Sequence, residues 1–454
     1  MTENGIKPID ELQKLIYPWE TEELLLFSLM FEEWGHKDLL TDPNTIHKIF
    51  NEIREFNHPE LMGKEGIDFL DSFILSTGQI QFSHQNAFIF NVWRYYYFFT
   101  FKNEDIDMNE EFKSKFECDY HEVLTFALSV HALYCSEIID EKLIKTLIER
   151  FPNAFELLSI DVECLRERQK EYTHDYLDYK YGFKYFYQYP IIKSNNSHYF
   201  PVPHLTVTAS TSSLLYRLTE GNDQLRSKFG KEVFEAYVFD LISSFGIYDL
   251  VKPEQEYKVG KNLKKSPDVL VKDGEYCILM DCKSSVLPTK TRLFNEEVIS
   301  KFQARVAEAI TQVYKNIKND FNKNYFPFGR EVQFEQENVF GLVVVPEDIL
   351  CERRRLYEKV AQNLKLSPDS KEYQFLCSNI KVASALDLEQ LFIKQNNLTN
   401  GLRILRDCEE KRFDMRIPET EKVKLKPIET QFTRVFMKIT HLKEEIFQVC
   451  SIRK

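Results

Sequence analysis

Asp268, Asp281 and Lys283 are the residues of this chain whose types and spacing could do chemistry together. Pro267-Asp268 leads into Val269, Leu270 and Val271. Asp273-Gly274 follows, and Tyr276 to Met280 then runs into Asp281-Cys282-Lys283. An Asp-Gly pair between two apolar β-forming runs is a strong two-residue hairpin signal. Pairing across that turn brings Asp268 and Asp281 to the same end of the hairpin. Side chains alternate along a strand, so Lys283 points to the same face as Asp281. Two carboxylates with an ammonium beside them make a candidate site for a hard divalent cation.

The elements that must position this hairpin are legible on both sides. Upstream, Lys228 to Ile242 (KFGKEVFEAYVFDLI) has an apolar stripe through Phe229, Val233, Tyr237, Leu241 and Phe245. A helix is therefore expected from about Gln224 to Phe245, broken from the preceding one at Gly221-Asn222-Asp223. Strands are expected at Gln255 to Val259, Pro267 to Lys272, Tyr276 to Cys282 and Phe340 to Val345, with a long helix from about Asn295 to Asp320 between the last two. A further helix after Arg353, a strand at Ile380 to Ala383 and a helix at Asp387 to Lys394 complete an alternation that implies an α/β core. Residues 1 to 205 read differently. Apolar periodicity in Glu22 to Trp34, Thr45 to Phe56, Gly66 to Leu75 and His121 to Leu158 predicts a mainly helical N-terminal domain, with Asp42-Pro43-Asn44 as a helix start and Pro152-Asn153 as an interruption. Tyr189 to Thr211, with three prolines, reads as an extended connector or a small strand pair.

Bulk properties narrow the function classes. With 454 residues, 43 % hydrophobic and 29 % charged, the chain can bury a large core in two or three domains. The nine cysteines show no CxxC pair, which points to free thiols in a reducing compartment and away from structural zinc. The N-terminus lacks a basic region followed by an apolar core, so a cytoplasmic protein without a secretory signal is expected. The apolar run Ala87 to Phe101 contains Asn91 and Arg94 and is shorter than the roughly 20 residues of a spanning helix. A buried core segment, and no membrane partner, is the reading. A net charge of -12 counts against wholesale coating of a polyanion. Lys258, Lys261, Lys264, Lys265 and Lys272 nevertheless surround the single acid Asp268 between 258 and 272, a local positive excess. Phosphate-cradling GxxxxGK[ST] and GxGxxG loops are absent from the sequence. His174-Asp175 has no evident partners for a phosphohydrolase site.

Pro267-Asp268, twelve intervening residues and Asp281-Cys282-Lys283 resemble the motif of the PD-(D/E)XK nuclease superfamily, the restriction-endonuclease-like fold. The resemblance covers about residues 225 to 390 and includes the expected order of helix, antiparallel strands, crossover helix and further strand. It implies a catalytic domain with a central mixed sheet flanked by helices at 206–395, preceded by the helical domain at 1–205 and followed by a helical extension at 396–454 packing on the nuclease domain. It also implies Mg²⁺, with Mn²⁺ as substitute, held by Asp268, Asp281 and the backbone carbonyl of Cys282, and Lys283 orienting or helping to deprotonate the attacking water. The Cys282 side chain is expected to turn into the core.

Many members add a glutamate from the preceding helix. GKEVFEAYV resembles their Gly-x-x-x-Phe-Glu pattern, and Glu235, closer to the apolar stripe than Glu232, is the expected ligand. Lys261, Lys264, Lys265, Lys301, Arg305 and Gln312 are candidate nucleic-acid contacts, the last three on one polar face with Glu308. Gln303 and Gln312 do not start the Gln-x-x-x-Tyr pattern of the RecB-like branch, because Ala307 and Asn316 occupy the tyrosine positions. The resemblance implies hydrolysis of phosphodiesters in nucleic acid, DNA before RNA, in a restriction or phage-defence effector. Homo-oligomerisation or activation by a separate protein is compatible with it. The alternative is a nuclease-like fold serving as an inactive binding scaffold in a defence or repair complex.

Overall fold

The structure is a computed structural model. It describes residues 17–31, 43–55, 88–135, 141–173, 182, 184–195, 197–286, 295–349, 353–408 and 417–450. The helix expected over Gly66 to Leu75 and the His174-Asp175 pair lie outside these.

The chain is a mixed α/β protein. Its strands, in order, are β1 (Ser159–Asp161), β2 (Ile191–Ser194), β3 (Ser197–Tyr199), β4 (Leu250–Pro253), β5 (Glu256–Val259), β6 (Asn262–Lys265), β7 (Val269–Asp273), β8 (Tyr276–Cys282), β9 (Val339–Val345) and β10 (Ile380–Ser384). The first three form a small sheet and β5 with β6 a separate ribbon. The other five form the central sheet in the order β10-β9-β8-β7-β4. β4, β7 and β8 are antiparallel, whereas β8, β9 and β10 are parallel. Every residue of β9, VFGLVVV, is buried, as a strand with helices on both faces requires.

The hairpin closes one residue later than the sequence suggests. Asp273 pairs with Tyr276, leaving Gly274-Glu275 as the loop. Gly274 takes φ +59 at the first of two loop positions, the place a type II′ turn reserves for glycine. The strand expected at Gln255 to Val259 exists as β5, but it pairs with β6 instead of joining the central sheet. Its charged, alternating residues suit a solvated ribbon. The sheet's edge is β4, which pairs with β7 from Leu250↔Lys272 to Pro253↔Val269, and Pro253 is tolerated there because an edge strand needs fewer donors.

Two layers of helices cover this sheet. Among the helices that pack on it are α1 (Phe88–Thr100), α2 (Glu235–Ser244), α3 (Glu296–Lys315), α4 (Arg353–Leu364), α5 (Lys371–Asn379), α6 (Ala385–Lys394) and α7 (Gln431–Cys450). On one face Val269, Val271, Ile278, Met280 and Cys282 share a core with α1, α2, α6 and α7. On the other, Leu270, Cys277 and Leu279 pack with α3, α4 and α5. The Asn295 side chain caps α3 by accepting from the Val298 amide at 3.1 Å. Helices before residue 205 therefore enter the core of the sheet that follows it. Trp93 of α1 meets Phe436 of α7, with ring centroids 4.6 Å apart. The run around α1 is buried as expected: Tyr95, Tyr97, Phe98 and Phe99 have no exposed surface.

Candidate functional site

The register of β7 against β8 decides what meets at its open end. Val269 lies opposite Met280, so the residues one step outward, Asp268 and Asp281, face each other. By alternation Asp268, Asp281 and Lys283 project to the face of Leu270 and Leu279, which α3 covers, while Cys282 turns the other way into the α2 core. Cys282 is 6 % exposed. Its amide donates to Asp268 Oδ2 at 2.6 Å, and the Lys283 amide donates across to the Val344 carbonyl at 2.8 Å. Amide and carbonyl of one strand residue point to the same edge, so the Cys282 carbonyl faces the Asp268 side.

Asp281 is only 3 % exposed. Lys283 Nζ lies 2.8 Å from its Oδ2, and beyond that ammonium the buried oxygen has no hydrogen-bond donor. Burial lifts the Asp281 carboxyl above the ordinary range against the pull of Lys283. Burial, reinforced by the Asp281 charge, pushes Asp268 up to about 7. Burial alone would lower the Lys283 ammonium, but the charges of Asp281 and Asp268 reverse that and raise it. Lys283 is a cation at neutral pH.

Glu235 reaches this site from the first position of α2. Its amide donates to the Gly230 carbonyl, five residues back, at the end of a widened turn spanning Phe229–Phe234. In a regular α-helix residues five apart diverge by about 140°. Bonding to the fifth residue stacks Gly230 and Glu235 on one side. Gly230 lies close against Ser284: a Cβ on it would fall 2.5 Å from Ser284 Oγ, which can turn away, and 3.2 Å from Ser284 Cβ, which must give slightly. Burial, then the charges of Asp268 and Glu254, push Glu235 up to about 8. Glu232 turns away, paired with Lys231 at 3.2 Å and accepting from Asn103 at 3.2 Å.

A fourth acid, Glu254, joins the group from the end of β4. Its charge acts on Asp268, Asp281 and Glu235, and it is paired with Lys265 at 2.9 Å. Sequence reasoning missed it because the first strand was placed too late. Had Leu250–Pro253 been paired with β7, the register would have put the next residue beside Asp268.

The expected nucleic-acid contacts divide. Lys264 is held by Asp320 at 2.8 Å and Lys265 by Glu254. Lys261 is exposed at the ribbon turn. Lys301, Arg305 and Gln312 are exposed on the outer face of α3 with Glu308, and Lys301 pairs with Glu297.

The donor set suits a small hard cation. Asp268, Asp281 and the Cys282 carbonyl offer only oxygen, and Asp281 Oδ2 is a buried anionic atom with no donor beyond Lys283. Among the described residues, no three His, Cys, Asp or Glu side chains are gathered as tightly as a bound ion would hold them. Among the described residues, too, no helix is long and apolar enough to cross a membrane. No protein-family profile matches the sequence, and no curated protein is similar to it.

Proposed function

We propose that this chain is a metal-dependent nuclease with a restriction-endonuclease-like catalytic unit, hydrolysing phosphodiester bonds in nucleic acid, with DNA the favoured substrate. The order α2, β4, β7, β8, α3, β9 supports the fold reading, with the ribbon inserted between β4 and β7. The single observation that carries the chemistry is Asp281 Oδ2, buried and with no donor beyond the Lys283 ammonium, at paired strand ends beside Asp268.

Asp268, Asp281 and the Cys282 carbonyl would hold magnesium, with Glu235 the candidate to complete the set. When bound, the ion supplies Lewis acidity against charge developing on the phosphate. The Cys282 amide fixes Asp268, leaving one oxygen of that carboxylate to face the ion. Lys283, kept protonated by its two acidic neighbours, orients a water and offsets phosphate charge and does not serve as a base. Glu235, raised to about 8 in the metal-free protein, would give up its proton on joining the ion.

The test is purified protein with Mg²⁺ or Mn²⁺ against plasmid, single-stranded DNA and RNA, beside Asp281→Ala and Lys283→Ala. Metal-dependent cleavage lost in both variants is expected. Equal cleavage by all three proteins, or none on any substrate, would sink the assignment. Calorimetric Mg²⁺ titration should show binding that Asp281→Asn removes.

A further inference from the structure

We infer that the β5–β6 ribbon is an arm that lies in a groove of duplex DNA beside the phosphate to be cut, an inference that takes its ligand from the nuclease reading. The ribbon has two unlike faces. Tyr257 and Lys264 lie opposite each other on the inner face. Tyr257 stacks on Tyr325 at 4.3 Å and donates to Asp320 at 3.1 Å, while Lys264 reaches the same carboxylate. Tyr325 in turn donates to Gln255 at 2.9 Å. This face is bolted to the segment after α3.

The outer face carries Lys258 directly opposite Leu263, and Glu256 opposite Lys265. Leu263 is 58 % exposed, an apolar side chain set between Lys258 and the turn lysine Lys261. Both lysines are exposed. An apolar residue flanked by lysines complements a groove floor flanked by phosphates, and a two-stranded ribbon fits the major groove. The ribbon's aromatic ring, Tyr257, is stacked inward on Tyr325, which leaves no stacking platform for single-stranded bases. Duplex is favoured for that reason. β6 continues through Ser266-Pro267 straight into Asp268. Five residues from Leu263 span at most about 17 Å, so the contact falls within roughly five base pairs of the cut.

The experiment uses the full chain in EDTA, with anisotropy of labelled duplex and single-stranded DNA across a salt series. Lys258→Ala with Lys261→Ala should flatten the duplex salt slope by about two, since each phosphate contact contributes roughly 0.9. Leu263→Ser should weaken duplex binding about tenfold, as expected for losing a buried leucine contact, with the slope and single-strand binding unchanged. Wild-type binding by both variants overturns the arm, as does an equal loss on single strands. So does a shift from dimer to monomer in sedimentation of Leu263→Ser, which would make the face a protein contact. Ribbon-dependent duplex binding without Mg²⁺ cleavage keeps the arm and removes the nuclease reading. Asp281-dependent cleavage with ribbon variants that bind like wild type does the reverse.

Discussion

Two ion pairs in this molecule, one fully buried and one whose cation is partly exposed, are built in opposite ways. Arg94 and Glu389 are each 1 % exposed and joined by two bonds, 2.7 and 2.8 Å. Arg94 also donates to the Pro346 carbonyl at 2.8 Å, and Glu389 accepts from Tyr237 at 2.5 Å. Each Arg94 side-chain nitrogen and each Glu389 carboxylate oxygen has a partner, and α1, α2, α6 and the end of β9 are held by one knot. Lys283 and Asp281 also form an ion pair at 2.8 Å, yet the buried oxygen has no donor beyond that partly exposed ammonium, and three further acids crowd it. Buried charge that is saturated holds elements together, whereas buried charge left under-satisfied is held ready for something from outside.

Breaking the saturated pair should have the largest effect. Arg94→Leu strands the Glu389 carboxylate and should cost about 3–5 kcal/mol of unfolding free energy, measured by denaturant titration; a loss under about 1 kcal/mol would erase the contrast. Asp281→Asn should do the opposite, leaving stability unchanged within about 1 kcal/mol or raised, because a site built for function carries unfavourable charge. A destabilisation as large as that of Arg94→Leu would make the two pairs equivalent.

A pH series sharpens the contrast further. Asp268 and Glu235 are raised to about 7 and about 8 in the folded protein, so the folded state keeps protons that the unfolded chain releases near the ordinary carboxylate values. Their contribution to stability is present at low pH and is lost as pH rises through the folded values. Metal-free protein should therefore lose thermal stability between about pH 5 and pH 8. Saturating Mg²⁺ should flatten that slope, as should Glu235→Gln near its upper end. Arg94 stays charged throughout and adds no slope. The smallest effect is expected from Gly230→Ala. Ser284 can rotate away from the new methyl, so stability should change by less than about 1 kcal/mol while Mg²⁺ affinity falls several-fold in calorimetry.

What the sequence revealed tracks how local each cause is. The hairpin was legible because the Asp273-Gly274 neighbourhood and the alternation on either side set the register. Glu235 was legible because the helical stripe ranks it above Glu232. Leu250–Pro253 was not: four residues, half exposed and ending in proline, carry no periodicity, and Glu254 was lost with them. The strand read at Gln255 to Val259 was assigned to the wrong sheet and its partner Asn262–Lys265 was not read as a strand, since alternation reports a strand and not its partner. Arg94 stood out in an aromatic run, but Glu389 lies 295 residues away, and nothing local joins them.

The widened turn at Phe229–Phe234 sets a rule of counting for this chain. It holds one residue more than a regular turn, and bonding to the fifth residue back keeps Glu235 on the side of Gly230. With one residue removed between them the two would stand four apart in a regular α-helix and would again share a side. Closing the turn with every residue kept would instead swing Glu235 about 140° away from Gly230. The segment can absorb the loss of that one residue, but it cannot keep its length and lose its widened turn.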